Sequence, residues 1–307
     1  MQTICVKNRN GGLLLNNYVI SCCTPVDYTE EELVSLQVEP IYFHIIVDGK
    51  DYLDDFGKSI SHETLDQLML DGHDVKTSQI SVGEYKEFFK RFLEEGRDVL
   101  HLTISSGISG TYNSACLAAN MLRDEIPDRT ITIVDSLGGS CGYGMLVEKA
   151  ANLRAEGWRL QDVAEWIEIH RLEMQHYFFC TDLSYMIKGG RIPRYVGLLA
   201  QKMKICPVMV ADGNGAIVMS DKIRTSKKAM KRAVEHIADF AEDGADYSGK
   251  LMIGHTDPTL ATETAVMIRQ HYPHIRNIVI RPIGITFSGH CGPGCVALFY
   301  WGKEREK

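Results

Sequence analysis

Four short stretches of this 307-residue sequence carry the groups with which a protein holds an acid. Ser105-Ser-Gly-Ile-Ser-Gly-Thr-Tyr112 follows the apolar run Val99–Ile104 and opens into a helical pattern, Asn113–Arg123. Strand, small-residue loop and helix together aim backbone N–H groups and hydroxyls at an anion, and the helix N-terminus favours negative charge. Ser109 and Gly110 are the donors this loop offers, against the plain alternative of an ordinary tight turn. Thr77-Ser78 stands just ahead of a capped helix and either closes a loop or supplies hydroxyls that converge with Ser109. Lys188-Gly-Gly-Arg-Ile192 sets Arg191 behind two glycines, and arginine is the side chain best shaped to grip a carboxylate or phosphate. A solvated arginine on a glycine turn is the alternative. His290 lies inside Ser288-Gly-His-Cys-Gly-Pro-Gly294, a glycine-dense loop between two strands. It can donate to an acid oxygen or act as a base, with glycines admitting a ligand close to the backbone.

A rival chemistry is written in Gly138-Gly-Ser-Cys-Gly142, which fits the Gly-x-Ser-x-Gly elbow of serine hydrolases and stands between a strand and a helix. Ser140 would be its nucleophile. The flanking Asp135-Ser136 and the extra glycines read as a longer loop than a sharp elbow, and there is no His-Gly-Gly-Gly motif. No Gly-x-x-x-x-Gly-Lys-[Ser/Thr] occurs, so a P-loop kinase is unsupported. His290, Cys291 and Cys295 cluster near the C-terminus with no common zinc spacing, so buried thiols are expected there and no metal.

These groups need a scaffold, and the patterning supplies one. Residues 1–16 read as a short extension before the core strand Tyr18–Cys23. Thr29 with Glu32, and Ser81 with Glu84, have capping-box spacing. Ile41–Val47 and Lys50–Leu53 flank Asp48-Gly49 and predict a hairpin; Ser61–Leu70 predicts a helix. Tyr85, Phe88, Phe89, Phe92 and Leu93 make one apolar helical stripe, a core face, closed by Gly96. A strand at 130–134 and a helix from Met145 to Glu156 follow. Strands alternating with helices predict a parallel sheet built from βαβ units, a Rossmann-like N-terminal domain over residues 1–165. Residues 166–307 change texture. A hairpin around Asp212-Gly-Asn-Gly215, helices at 226–241 and from Asp257-Pro258, and strands at 250–255, 275–283 and 295–301 predict an α+β second domain.

Composition bounds the function. The chain is 45% apolar and 24% charged, that of an ordinary globular protein. A net charge of −7, without a run of Lys and Arg, argues against a nucleic-acid or anionic-membrane surface. No apolar stretch approaches the roughly 18–20 residues of a membrane span, and no secretory signal is visible. Nine scattered cysteines fit reduced thiols in a cytoplasm.

The ordered set Thr77-Ser-Gln, Ser105–Tyr112, Asp135-Ser136, Lys188-Gly-Gly-Arg-Ile192, Lys204-Ile-Cys-Pro207, Lys222-Ile-Arg224 with Lys227-Lys-Ala229, and His290-Cys-Gly-Pro-Gly294 resembles the DegV family of bacterial fatty-acid-binding proteins. The likeness runs from about Tyr18 to Trp301. It implies a two-domain α/β protein with one long-chain fatty acid in a tunnel and the carboxylate near the domain interface. Thr77 and Ser109 would then hold the head group, with Arg191 and His290 as supporting donors. It also implies a carrier without turnover or cofactor, some members presenting the acid to an ATP-dependent fatty acid kinase. Three positions depart from the family pattern. Cys22-Cys23-Thr24 stands where an Asp-Ser-(Thr/Ser) motif is usual, Ile80 replaces a proline, and Ile108 replaces a leucine.

Overall fold

A computed structural model describes residues 17–192 and 205–306. The expected N-terminal extension and Lys204 lie outside them. Strands β1 (Tyr18–Cys23), β2 (Val38–Ile41), β6 (Asp98–Thr103) and β7 (Ile131–Asp135) form a parallel sheet in the order β2-β1-β6-β7. Every residue of β1 is buried, as a parallel strand covered on both faces must be. The helix Val82–Glu94 begins with the Ser81/Glu84 capping box and buries Tyr85, Phe89, Phe92 and Leu93, the stripe read from the sequence. The helix Thr111–Glu125 packs beside it through Ala115, Ala118 and Leu122.

A second sheet runs β10 (Ile217–Asp221), β9 (Val208–Ala211), β8 (Met174–Cys180), β13 (Cys295–Trp301), β11 (Leu251–His255), β12 (Ile278–Pro282). It is antiparallel except between β11 and β12. Helices Ser226–Phe240 and Pro258–His271 bury Ala229, Met230, Val234, Ala265 and Ile268 against it. Mixed α/β architecture, with a parallel sheet followed by a second β-rich region, is therefore as expected. The division at 165/166 falls inside the helix Leu160–His170, whereas the second sheet opens at Met174.

The helix Ser140–Ala155 joins the two sheets. It starts five residues before the expected Met145 and is buried nearly all round, because it packs on both. The glycines that suggested a loop serve this packing. A Cβ on Gly142 would lie 2.5 Å from His176 Nε2 and 2.8 Å from Phe299.

The third sheet corrects a strand assignment. The single strand read at 41–47 is two: β2 ends at Ile41, and β3 (His44–Val47) joins β4 (Lys50–Leu53) and β5 (Val75–Ser78) in a small antiparallel sheet. The two halves pair with different partners, and Phe43 between them is buried with its N–H donated to Thr24 Oγ1. The Asp48-Gly49 hairpin forms as read, with Val47 opposite Lys50 and both turn residues at positive φ, +50° and +84°.

Candidate functional site

A cavity of about 330 Å³ is bordered by strands of the second and third sheets and by the loops that follow β6 and β7 of the first. Its walls include Thr77, Ser78, Ser109, Arg191 and His290, five of the six residues singled out in the sequence. Thr77 and Ser78 are on strand β5, not in a loop, and Thr77 pairs with Ile45. His290 is likewise on an element: it sits in the last turn of the helix Ile285–Cys291. Thr77 Oγ1 and His290 Nε2 are 2.7 Å apart.

The glycine motifs interlock around His290. A Cβ on Gly189 would stand 2.2 Å from His290 Nδ1, so the ring seats directly on the Lys188-Gly-Gly-Arg191 turn. From that turn Arg191 donates to the Gly189 carbonyl at 2.6 Å and to the Ile108 carbonyl at 3.3 Å. It thereby ties the turn to the residue before Ser109. Burial pushes His290 down to about 4, and the Arg191 charge adds to the effect, so the imidazole is neutral near pH 7. Burial also lowers Arg191 from its ordinary value.

Ser109 Oγ accepts the Thr111 N–H at 3.3 Å, which leaves its own proton free for a ligand. Gly110 is the N-cap residue of the helix Thr111–Glu125 and is not among the cavity walls. A Cβ there would lie 2.6 Å from Gln79 Oε1, and Gln79 donates to Ser114 at 3.0 Å, so Gly110 gives Gln79 room to clamp strand to helix. Ser105 is not among the cavity walls; it donates to the carbonyl of Gly215, which is, at 2.8 Å. The remaining walls are largely apolar, with Phe43, Ile104, Phe178, Met186, Phe287 and Phe299 among them.

Ser140 also borders the cavity, at φ +55°, and the strand-to-helix turn before it is tighter than the sequence suggested. Its hydroxyl donates to the buried Asp27 carboxylate. The histidine at that place, His176, has both ring nitrogens engaged by backbone: Nε2 accepts from Gly139 N–H at 3.2 Å, and Nδ1 faces the Met174 carbonyl at 3.0 Å. Burial pushes His176 down to about 3. Ser140 therefore faces an acid rather than a general base. Asp27, placed after β1, accepts from Gly284 N–H at 2.9 Å as well, and burial pushes it up to about 7.

No sequence signal pointed to Cys180, which joins Cys291 and Cys295. The three sulfurs lie within 4.8 Å of one another, and no fourth His, Cys, Asp or Glu donor joins them among the described residues. Three thiolates around a divalent ion would leave net negative charge among Leu183, Met186, Ile192, Met209 and Ile283.

A largely apolar chamber with a few hydroxyl, imidazole and guanidinium groups in its walls has the make-up of a binding site for a small amphiphilic molecule. The family model of the uncharacterised DegV family matches residues 24–303, and the chain belongs to that family. A DegV domain-containing protein of Lactococcus lactis is 31% identical over 252 residues, 82% of this chain and 86% of the relative. A fatty-acid-binding DegV family protein of Streptococcus agalactiae is similar in structure, with a TM-score of 0.81 and 26% identity over 94% of this chain and 99% of that one. The fatty acid kinase (Fak) B3 protein of Streptococcus pneumoniae, solved loaded with linoleic acid, shares the fold. Its TM-score is 0.79 at 22% identity, over 94% of this chain and 100% of that one.

Proposed function

We propose that this chain binds one long-chain fatty acid, with the carboxylate at Thr77, Ser109 and His290 and the tail along the apolar walls. The observation that carries it is the Thr77–His290 contact inside that chamber. A neutral imidazole has one N–H. Among the described residues His290 Nδ1 is buried without a partner, which disfavours a proton there. With the proton on Nε2, His290 donates to Thr77 Oγ1, and the Thr77 hydroxyl is free to donate to a carboxylate oxygen. Ser109 supplies a second hydroxyl. Arg191, already engaged by two carbonyls, supports the site by holding its turn in place.

The tail supplies most of the affinity. At about 0.8 kcal/mol per buried CH₂, a chain of around sixteen carbons contributes on the order of 10 kcal/mol before ordering costs. The polar groups fix orientation and select an acid.

A binding protein is the reading the geometry favours over a serine hydrolase, because the Ser140 hydroxyl is spent on Asp27 and His176 on backbone. We place it in the cytoplasm as a carrier that presents its acid to a fatty acid kinase. The shared fold with a protein named for that kinase supports this hand-over. No helix among the described residues is long and apolar enough to cross a membrane. Denaturing extraction and mass spectrometry of the purified protein test the binding: one fatty acid per chain is expected, and lipid-free protein after expression in lipid-replete cells would refute it. Pull-down with a fatty acid kinase tests the hand-over, and absence of capture by lipid-loaded protein would refute that part.

A further inference from the structure

The three thiols described above come from separate places in the fold: the end of β8 (Cys180), the end of the helix Ile285–Cys291, and the start of β13 (Cys295). Cys180 and Cys295 are directly opposite in the β8–β13 pairing. At the next rung Thr181 N–H bonds the Gly294 carbonyl at 3.0 Å, so the cysteine pair is of the close, non-hydrogen-bonded kind. Such pairs stand about 4.5 Å apart at Cα, near the separation a disulfide needs. Gly292 and Gly294, at φ +67° and +81°, fold the chain so that Cys291 comes back beside Cys295. All three are buried, yet Cys291 and Cys295 border the cavity. A molecule in the cavity therefore lies against two of the three cysteines.

We propose that this trio is a peroxide-reducing site for hydroperoxides of acyl chains that enter the cavity, with Cys291 as the attacking sulfur and Cys180 or Cys295 as the resolving thiol. The assignment rests on the fatty-acid reading of the cavity. Thiol donors from Cys180 and Cys295 hold Cys291 well below the ordinary thiol range, while Cys180 is pushed up by its contact with Cys291, and Cys295 by its contacts with Cys180 and Cys291. One thiolate flanked by two neutral thiols is the division of labour such chemistry needs.

The Cys291 thiolate attacks the outer peroxide oxygen; an S–O bond forms, the O–O bond breaks, and the leaving alkoxide takes the proton of a neighbouring thiol. The product is a hydroxy acid. The deprotonated neighbour then attacks the Cys291 sulfur; an S–S bond forms, the S–O bond breaks, and hydroxide leaves to become water. Two thiols and one hydroperoxide give one disulfide, one alcohol and one water, two electrons passing from sulfur to oxygen. Renewed turnover needs an external dithiol, which would reopen the disulfide by exchange.

The test uses the full chain, reduced and freed of lipid, mixed without air with linoleic acid hydroperoxide. Expected are one hydroxy acid per chain, the loss of two free thiols, and an intact mass lower by two hydrogens. Excess unoxidised linoleic acid should slow the reaction, and Cys291→Ser should abolish it, while Cys116→Ser, outside the trio, should retain it. The double variant Cys180→Ser with Cys295→Ser should stop at the sulfenic acid, trapped as its dimedone adduct. An unchanged thiol count, activity retained in Cys291→Ser, or zinc bound to the trio in the purified protein would each overturn the proposal. Linoleic acid bound without any reduction of its hydroperoxide would sink this inference alone. Thiols oxidised by hydrogen peroxide in a chain that never binds the acid would sink the carrier reading with it.

Discussion

Thr77 and His290 are 213 residues apart in the chain and 2.7 Å apart in space, strand β5 meeting the last turn of a helix from the far end of the molecule. In the proposed site neither residue acts alone, because the imidazole would orient the hydroxyl offered to the carboxylate. Removing Thr77 therefore removes a donor and leaves His290 Nε2 without its acceptor. A hydrogen bond to a charged group contributes about 1.5–3 kcal/mol. Thr77→Ala should thus weaken fatty-acid binding by roughly one to two orders of magnitude. Ser109→Ala should act in the same direction, and the double variant should purify with little lipid. Lipid content equal to the parent's in the double variant would remove both residues from the head-group site.

The two glycines before Arg191 should fail differently when filled. Gly189 has an ordinary helical φ of −70°, so alanine suits its backbone, but the new methyl would stand 2.2 Å from His290 Nδ1. Gly190 is at φ +70° with nothing among the described residues within 4 Å of an added Cβ. Gly189→Ala should push His290 off Thr77 and lower fatty-acid affinity, while Gly190→Ala should cost about 1 kcal/mol of stability through backbone strain and leave affinity close to the parent's. Titration with a fluorescent fatty acid, alongside thermal melts, separates the two. Equal affinity in Gly189→Ala and the parent would mean that the close seat of the ring does not matter.

Much of this arrangement is legible in one dimension, and where it is not, glycine is the usual reason. The capping box at Ser81/Glu84, the aromatic stripe beneath it and the Asp48-Gly49 turn are local rules, and the molecule obeys them. Ser109, Thr77, Arg191 and His290 stand out because hydroxyl, guanidinium and imidazole groups beside glycines are unusual company. A glycine, however, does not say whether it is there for its φ or for lack of a side chain. At Gly142 the second reason holds, and a helix start read as a loop; the helix around Gly289 read as a loop too, although a Cβ there would make only ordinary contacts with Val75 and Thr77. The split of residues 41–47 depends on which strands each half pairs with, and no local pattern records that. Cys180 ends an apolar strand like any other. Its meeting with Cys295 is a fact of sheet register, and Cys291 reaches them from the end of a helix.

Asp27 ties the loop after β1 to both Ser140 and Gly284, and it does so as a buried carboxyl that burial pushes up to about 7. In the unfolded chain the group returns to about 3.9. The folded state therefore binds the extra proton. The stability this contributes is complete below about pH 4 and is lost as the pH rises through about 7. Asp54, pushed up to about 6 by burial, acts in the same sense. His101, His176 and His290, pushed down by burial to about 3, 3 and 4, act in the opposite one: their contribution is complete above the ordinary histidine range and is lost as the pH falls through those values. The two sets oppose each other between about pH 4 and 6.5, so the parent's own melting curve hides them. A difference between variants does not. Asn at position 27 keeps an acceptor for Ser140 or Gly284 and cannot ionise. Between pH 5 and 8 the melting temperature of Asp27→Asn should therefore rise relative to the parent's, by roughly 5 °C if two kcal/mol of the burial cost is relieved. A melting-temperature difference that stays flat over that range would show that Asp27 is ionised throughout, with Ser140 and Gly284 stabilising the charge in full.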